Sequence, residues 1–270
     1  MKRQHLCFDC SGDTLVGSLD TADAAAGLLI VTGGNELRCG PYSSHAELAD
    51  NIATAGFPVL RYDRRGVGDS SGDNLEFTAS ADDIAAALAA FRAAQPQLKH
   101  VVAYGNCDAA SALMLAQGQD CDALVLANPW TFEPEPETAT QTTAEPQPQL
   151  TPGAIRAHYL RRLTDPRALL RLLTGKVKVR QLTGSLAAAA QAPPAPGKLA
   201  LDMAAGLAQF AGPVTLLVAE HDRTGQVFLS HWDANDQRLW ICPKAGHNFV
   251  EPQARIWLQG QLLGALRSLS

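Results

Sequence analysis

Charge is scarce in this chain of 270 residues: Asp, Glu, Lys and Arg make up 18%, against 46% hydrophobic residues. Such a chain can bury a full core, and one large α/β domain carrying an insertion is the expected organisation. Basic residues are not in excess. Twenty-two Lys and Arg against 27 Asp and Glu leave a formal charge of -5, which removes any global electrostatic case for nucleic acid. No apolar run approaches the roughly 20 residues a membrane span needs, and Met1 to His5 lead straight into a strand-like pattern rather than a targeting segment. Metal motifs are missing too. The six cysteines, at 7, 10, 39, 107, 121 and 242, are scattered without paired C-x-x-C knuckles. His5, His45, His100 and His231 form no H-x-x-x-H pair, so no metal and no cofactor is expected. The expected setting is the cytoplasm, with reduced thiols.

What is present is an alternation of strands and helices. Gln4 to Cys10 and Thr14 to Asp20 alternate in polarity around Ser11-Gly12-Asp13 and read as an antiparallel hairpin. The runs Gly27 to Gly33, Val59 to Asp63, His100 to Gly105 and Ala123 to Ala127 are apolar on both faces, as parallel strands covered by helices must be. Helical stretches separate them: Ser44 to Ala55, Ala79 to Ala94 with Ile84, Leu88 and Phe91 on one face, and Ala109 to Gln117. This spacing implies βαβ units and a mostly parallel, doubly wound sheet. The rhythm breaks at Thr131 to Thr151, a Pro-, Glu-, Thr- and Gln-rich tract without periodicity. Amphipathic helices are expected from Pro152 to Gly175, broken at Asp165-Pro166, and a further helix from Lys198 to Phe210. Strands resume at Val214 to Ala219 and Leu239 to Cys242, and a helix from Pro252 to Leu269 closes the chain. Residues 1–130 and 201–270 thus form the core, with 131–200 inserted as a lid.

The chemistry concentrates at Val102 to Ser111, where a strand ends and a helix begins. Gly105 and Ala109 flank Cys107 at two residues on either side, which is the G-x-S-x-G elbow with cysteine for serine and alanine for the second glycine. The flanking residues must be small because strand and helix crowd there. A buried strand-end thiol is the plain alternative for an isolated cysteine. The later chain favours chemistry: Asp222 follows the strand 214–219, and His247 follows the strand 239–242, in the order nucleophile, acid, base. His247 would take the thiol proton, and Asp222 would fix the imidazole tautomer and stabilise its cation. The helix N-terminus at Cys107 would favour the thiolate. An oxyanion hole needs two backbone N–H groups. One is expected from Asp108 and the other from Thr32-Gly33-Gly34-Asn35, with Gly34 and Asn35 as alternatives. His221 and Glu220 are the competing base and acid in the Asp222 loop. Asp63, Arg65 and Asp69 are expected to hold their own loop.

These residues carry a resemblance. Almost the whole chain is similar to the α/β-hydrolase superfamily, and Arg61 to Gly72 resembles that superfamily's loop after the fourth strand. More narrowly, the elbow from Gly105 to Ala112, Asn128-Pro129-Trp130 and His158 to Leu163 resemble the type-one hydrolase associated with exosortase A systems of Gram-negative bacteria that sort proteins and build exopolysaccharide. Asn35 stands where the resemblance has proline. The resemblance implies the α/β-hydrolase fold with a helical lid, and Arg38 and Trp130 are taken as substrate-binding residues.

The expected reaction is hydrolysis of a small-molecule ester or thioester through a thioester on Cys107. Acyl transfer to a non-water acceptor through the same intermediate is the alternative, and a non-catalytic binding protein on the same fold is the reading from a different class. Pro152 to Arg180 carries Arg156, Arg161, Arg162, Arg167, Arg171, Lys176, Lys178 and Arg180 against Asp165 alone. This basic face is read first as a solvated helix surface; the sharper reading is a landing site for an acyl carrier or anionic substrate. Cys7, Cys10, Cys121 and Cys242 read as apolar filler, and Cys39 stays open between filler and site.

Overall fold

The computed structural model describes residues 2–132 and 196–270. Eight strands form one sheet in the order β1-β2-β4-β3-β5-β6-β7-β8. β1 (Arg3–Cys10) and β2 (Asp13–Asp20) form the expected hairpin, and its turn is tighter than the sequence suggested: Cys10 pairs with Asp13. Ser11 and Gly12 take φ 56° and 91°, the left-handed pair that matches the twist of a two-residue hairpin. β2 then runs antiparallel to β4 (Val59–Tyr62), and all later pairings are parallel.

β3 (Ala26–Val31) is fully buried. Because successive side chains alternate between faces, Leu28 and Ile30 join one core and Leu29 and Val31 the other. The first core is closed by α1 (Ser44–Thr54) and by α6 (Pro252–Arg267) through Ile52, Leu258, Leu262 and Leu266. The second is closed by α2 (Ala81–Ala94), α3 (Asp108–Leu115) and α4 (Lys198–Gln209) through Ile84, Phe91, Leu113, Met203 and Leu207, with Phe228 of α5 (Arg223–His231). Each such side chain fully buried contributes about 1.5–3 kcal/mol, which is why runs apolar on both faces settle in the sheet centre.

β5 (His100–Asn106), β6 (Ala123–Ala127), β7 (Val214–Ala219) and β8 (Leu239–Cys242) run parallel, so their C-terminal ends lie along one edge of the sheet. Two expectations need correction. The Asp222 loop is shorter than expected, because α5 begins directly after Asp222. Cys7 is exposed rather than filler, because β1 is an edge strand with one face turned to solvent. The loop expected at 131–151, the helices of 152–175 and the basic face of 152–180 lie, apart from residues 131 and 132, outside the described residues.

Candidate active site

The site is assembled where β5 meets α3. Cys107 sits between them with φ 62° and ψ -127°, a conformation that costs a non-glycine residue about 1–3 kcal/mol. Neighbours hold it there. The Cys107 N–H donates to the Ala127 carbonyl at 2.9 Å, and the Cys107 carbonyl accepts from the Trp130 N–H at 3.3 Å. Gly105 is required by packing: a Cβ there would lie 2.7–2.8 Å from the Ala109 carbonyl group and the Ala110 nitrogen. Ala109 is fully buried yet has room for its methyl, so alanine suffices on that side.

Asp222 and His247 converge on this elbow from the segments after β7 and β8. Asp222 caps α5, its Oδ2 accepting the Gly225 N–H at 2.8 Å, while its Oδ1 lies 2.9 Å from His247 Nδ1. The Cys107 side chain is close enough to His247 to act on its pKa. Burial alone would lower the imidazole pKa; the Asp222 carboxylate and Cys107 reverse the sign and raise it to about 10. The His247 loop is tied down from behind. Asn106 Nδ2 and Asn128 Nδ2 donate to the His247 carbonyl at 3.2 and 3.1 Å, and Asn128 Nδ2 also reaches Asn106 Oδ1 at 3.0 Å. Asn128 Oδ1 accepts the Ala219 N–H at 2.8 Å. Asn128, fully buried with φ 43°, thereby connects the elbow, the end of β7 and the base loop.

The glycine turn after β3 faces the elbow, and its Gly34 N–H is already engaged by a carboxylate. The Gly34 N–H donates to Asp108 Oδ2 at 2.6 Å, and the Gly33 carbonyl accepts the Glu36 N–H at 2.9 Å. Burial pushes the Glu36 carboxyl up to about 7; Asp108 adds to the shift, and His247 and the Gly33 backbone oppose it. His45, whose Nδ1 lies 3.9 Å from Glu36, is held neutral because burial lowers its pKa to about 4. Arg64 braces the turn by donating to the Gly34 carbonyl and to Ser80 Oγ at 3.1 Å, and stands 3.9 Å from Asp108. Asn35 is exposed, its Oδ1 accepting from Asn74 Nδ2 at 2.9 Å. Glu36, Arg64 and Asn128 were not foreseen as site residues. For Glu36 a signal existed: an acid two residues after a glycine pair expected to face the nucleophile.

The remaining candidates are placed as follows. The Arg38 guanidinium is engaged within its own neighbourhood, by Asp63, by Asp69 at 3.0 Å and by Ser18 at 3.2 Å. Asp63 is fully buried and also accepts the Arg38 N–H at 2.6 Å, so this arginine supplies its counter-charge. Trp130 is half-buried against Phe132, ring centroids 4.6 Å apart, and its carbonyl accepts from Ser111 Oγ at 2.8 Å. His221 pairs with Glu220 at 3.9 Å, and Glu220 accepts the Lys244 N–H at 2.8 Å. Cys39 is half-buried; Cys10, Cys121 and Cys242 are buried. Among the described residues no group of three or more His, Cys, Asp or Glu side chains could hold a metal ion, and no helix is long and apolar enough to cross a membrane.

Comparison with known proteins agrees with this architecture. No curated protein matches the sequence. Among solved structures, GrgF of Penicillium sp. sh18, an alpha/beta hydrolase, superposes with a TM-score of 0.62 at 16% identity over 99% of both chains. The esterase Pf2001 of Pyrococcus furiosus gives 0.59 at 12% identity, over 98% of this chain and 93% of its own. The dienelactone hydrolase of Anabaena variabilis gives 0.59 at 15% identity, over 99% and 97%. At such identities the likeness establishes the fold alone. The sequence itself goes further, matching the profile of the alpha/beta hydrolase family over residues 34–256, and the chain therefore belongs to the Alpha/beta hydrolase family.

Proposed function

We propose that this chain hydrolyses a small-molecule ester or thioester, with Cys107 as nucleophile, His247 as proton carrier and Asp222 as the acid that orients it. The carrying observation is Asp222 Oδ1 at 2.9 Å from His247 Nδ1, with Cys107 on a positive-φ elbow close enough to raise the His247 pKa. His247, its pKa raised to about 10, holds a proton at neutral pH, and the proposed nucleophile is the sulfur anion that the N-terminus of α3 favours at Cys107. The Cys107 sulfur forms a bond to the acyl carbon, and the carbonyl π pair moves to oxygen. Collapse of that intermediate expels the leaving group, which takes the His247 proton and leaves a thioester on Cys107. Water then attacks the thioester carbon and gives a proton to His247 as the sulfur departs. The Asp108 N–H and the turn at Gly34 and Asn35 are the proposed donors to the oxyanion, and Trp130, beside the elbow, contacts the acyl group.

The likeness to the esterase Pf2001 supports the reaction class. The narrower kinship with exosortase A system-associated hydrolases, and with it a cytoplasmic role, rests on the elbow and Asn128-Pro129-Trp130. A reducing compartment suits a thiolate nucleophile, which oxidation would destroy. A non-catalytic binding protein would have no use for an acid and a base converging on one thiol. The test is thiol reactivity against pH: Cys107 should be alkylated at a rate that stays high well below the titration range of an ordinary thiol. A rate that rises only with ordinary thiol ionisation would overturn the reading. Acyl transfer is read in the same enzyme by adding a primary amine: an amide product identifies transfer, and free acid identifies hydrolysis.

A further inference from the structure

The glycine turn that should receive the oxyanion is occupied by the protein itself. Asp108 Oδ2 accepts the Gly34 N–H at 2.6 Å, and this is the one hydrogen bond the carboxylate makes among the described residues. Its side chain is 15% exposed, so water does little to compensate it. The nearest cation, Arg64, is 3.9 Å away and directs both terminal nitrogens elsewhere, to Gly34 O and Ser80 Oγ. A second acidic side chain, Glu36, lies close enough for Asp108 to raise its pKa. A substrate carbonyl that takes the Gly34 N–H must therefore displace Asp108, and a carboxylate that loses its hydrogen-bond partner in a poorly hydrated site is costly. The developing oxyanion would then face that same negative charge.

Both costs disappear if the acyl donor brings its own N–H group. We propose that Asp108 is a specificity-determining residue that selects acyl donors bearing an amine or amide N–H next to the reacting carbonyl, that is, aminoacyl esters or thioesters. The incoming N–H replaces Gly34 on the Asp108 carboxylate and frees the Gly34 N–H for the carbonyl oxygen. An ammonium does more than an amide, because it also neutralises the charge beside the oxyanion. This selection rests on the proposed acyl-enzyme reaction and sharpens its substrate class.

The experiment compares benzyl thioesters matched in size: glycyl against propionyl, and N-acetylglycyl against 4-oxopentanoyl. Each pair differs by exchange of a nitrogen for a methyl or methylene carbon. Release of benzyl thiol is followed by chromatography in wild type, Asp108→Ala and Asp108→Asn, and non-enzymatic rates are measured alongside to remove intrinsic reactivity. In wild type the corrected kcat/KM ratio should favour the nitrogen-bearing member by about ten-fold or more, the scale of one charge-assisted hydrogen bond. In Asp108→Ala the ratio should fall to near one, chiefly because the carbon-only donors improve. Asp108→Asn, which can still accept from Gly34 but carries no charge, should lose the glycyl preference more than the N-acetylglycyl preference. Ratios within about two-fold of each other in wild type and Asp108→Ala would overturn the proposal. So would a wild-type ratio near one, as expected if the displaced carboxylate moves to the unpartnered Nε of Arg64 instead. These results would leave the hydrolase reading standing. If wild type turned over none of the four donors and none acylated Cys107, the reaction itself would be refuted, and this selection with it.

Discussion

Exchange of Asp222 for Asn separates the chemistry of the site from its folding. Asp222 has two jobs: Oδ2 caps α5 through the Gly225 N–H at 2.8 Å, and Oδ1 holds His247 Nδ1 at 2.9 Å. Asparagine is as good a cap as aspartate, so the capping role survives with a change of a few tenths of a kcal/mol. The second role does not. With the amide oxygen on Gly225, the Nδ2 donor faces the imidazole and forces the opposite tautomer, so the ring nitrogen toward Cys107 already carries a proton and cannot accept one. The positive shift of His247 also loses its largest favourable contribution, so with burial opposing the charged form the imidazole pKa should fall. Loss of a charge-assisted hydrogen bond, about 1.5–3 kcal/mol, gives ten- to hundred-fold, and the tautomer error adds a comparable or larger factor. kcat for a good thioester substrate should therefore fall between about 10²- and 10⁴-fold, and alkylation of Cys107 should fall at neutral pH, while the thermal midpoint stays within a few degrees. Stopped-flow acylation and calorimetry on the same preparation measure both. A variant with kcat within a few-fold of wild type, or one that loses activity only in proportion to a large drop in thermal midpoint, would refute the role given to Asp222.

Two further outcomes follow from packing and charge. Gly105→Ala should destabilise the fold by about 2–4 kcal/mol, since its methyl would meet backbone atoms of α3 at 2.7–2.8 Å that cannot rotate aside; an unchanged denaturation midpoint would contradict the crowding argument. Glu36 keeps its proton up to about pH 7 when folded and loses it near 4.5 when unfolded, so its contribution to stability declines as pH rises from 4.5 to 7 and is constant above. Glu36→Gln should remove that decline, gaining about 3 kcal/mol over wild type by pH 7.5 and nothing at pH 4. Urea titrations across that range that show a gap independent of pH would contradict the buried carboxyl.

How much of this was legible in the sequence depended on whether the signal was local. The hairpin, the buried strands and the elbow could be read because each is written in a few consecutive residues: alternation, a continuous apolar run, small residues two apart from a cysteine. Asp222 and His247 could be read because chain order places them, one strand apart, at the same edge of a parallel sheet. α5 could not, because Arg223-Thr224-Gly225-Gln226 has weak helix propensity and no apolar repeat. Its real start signal was Asp222 itself, which serves as cap and acid at once. The carboxylate on the glycine turn was hidden for another reason. Asp108 was foreseen for its backbone N–H, and nothing in the sequence reports that its side chain reaches back 74 positions to Gly34. Asn128 likewise gains its meaning only when three separate loops meet around its amide.

The central claim is that Cys107 carries the acyl group. Intact-protein mass spectrometry after brief exposure to a panel of acyl thioesters, including the glycyl donor, tests it directly. Wild type and His247→Ala should both be folded, but only wild type should gain the mass of the acyl group rapidly, and Cys107→Ala should gain none. Full labelling of Cys107→Ala, or turnover by that variant at the wild-type rate, would contradict the account.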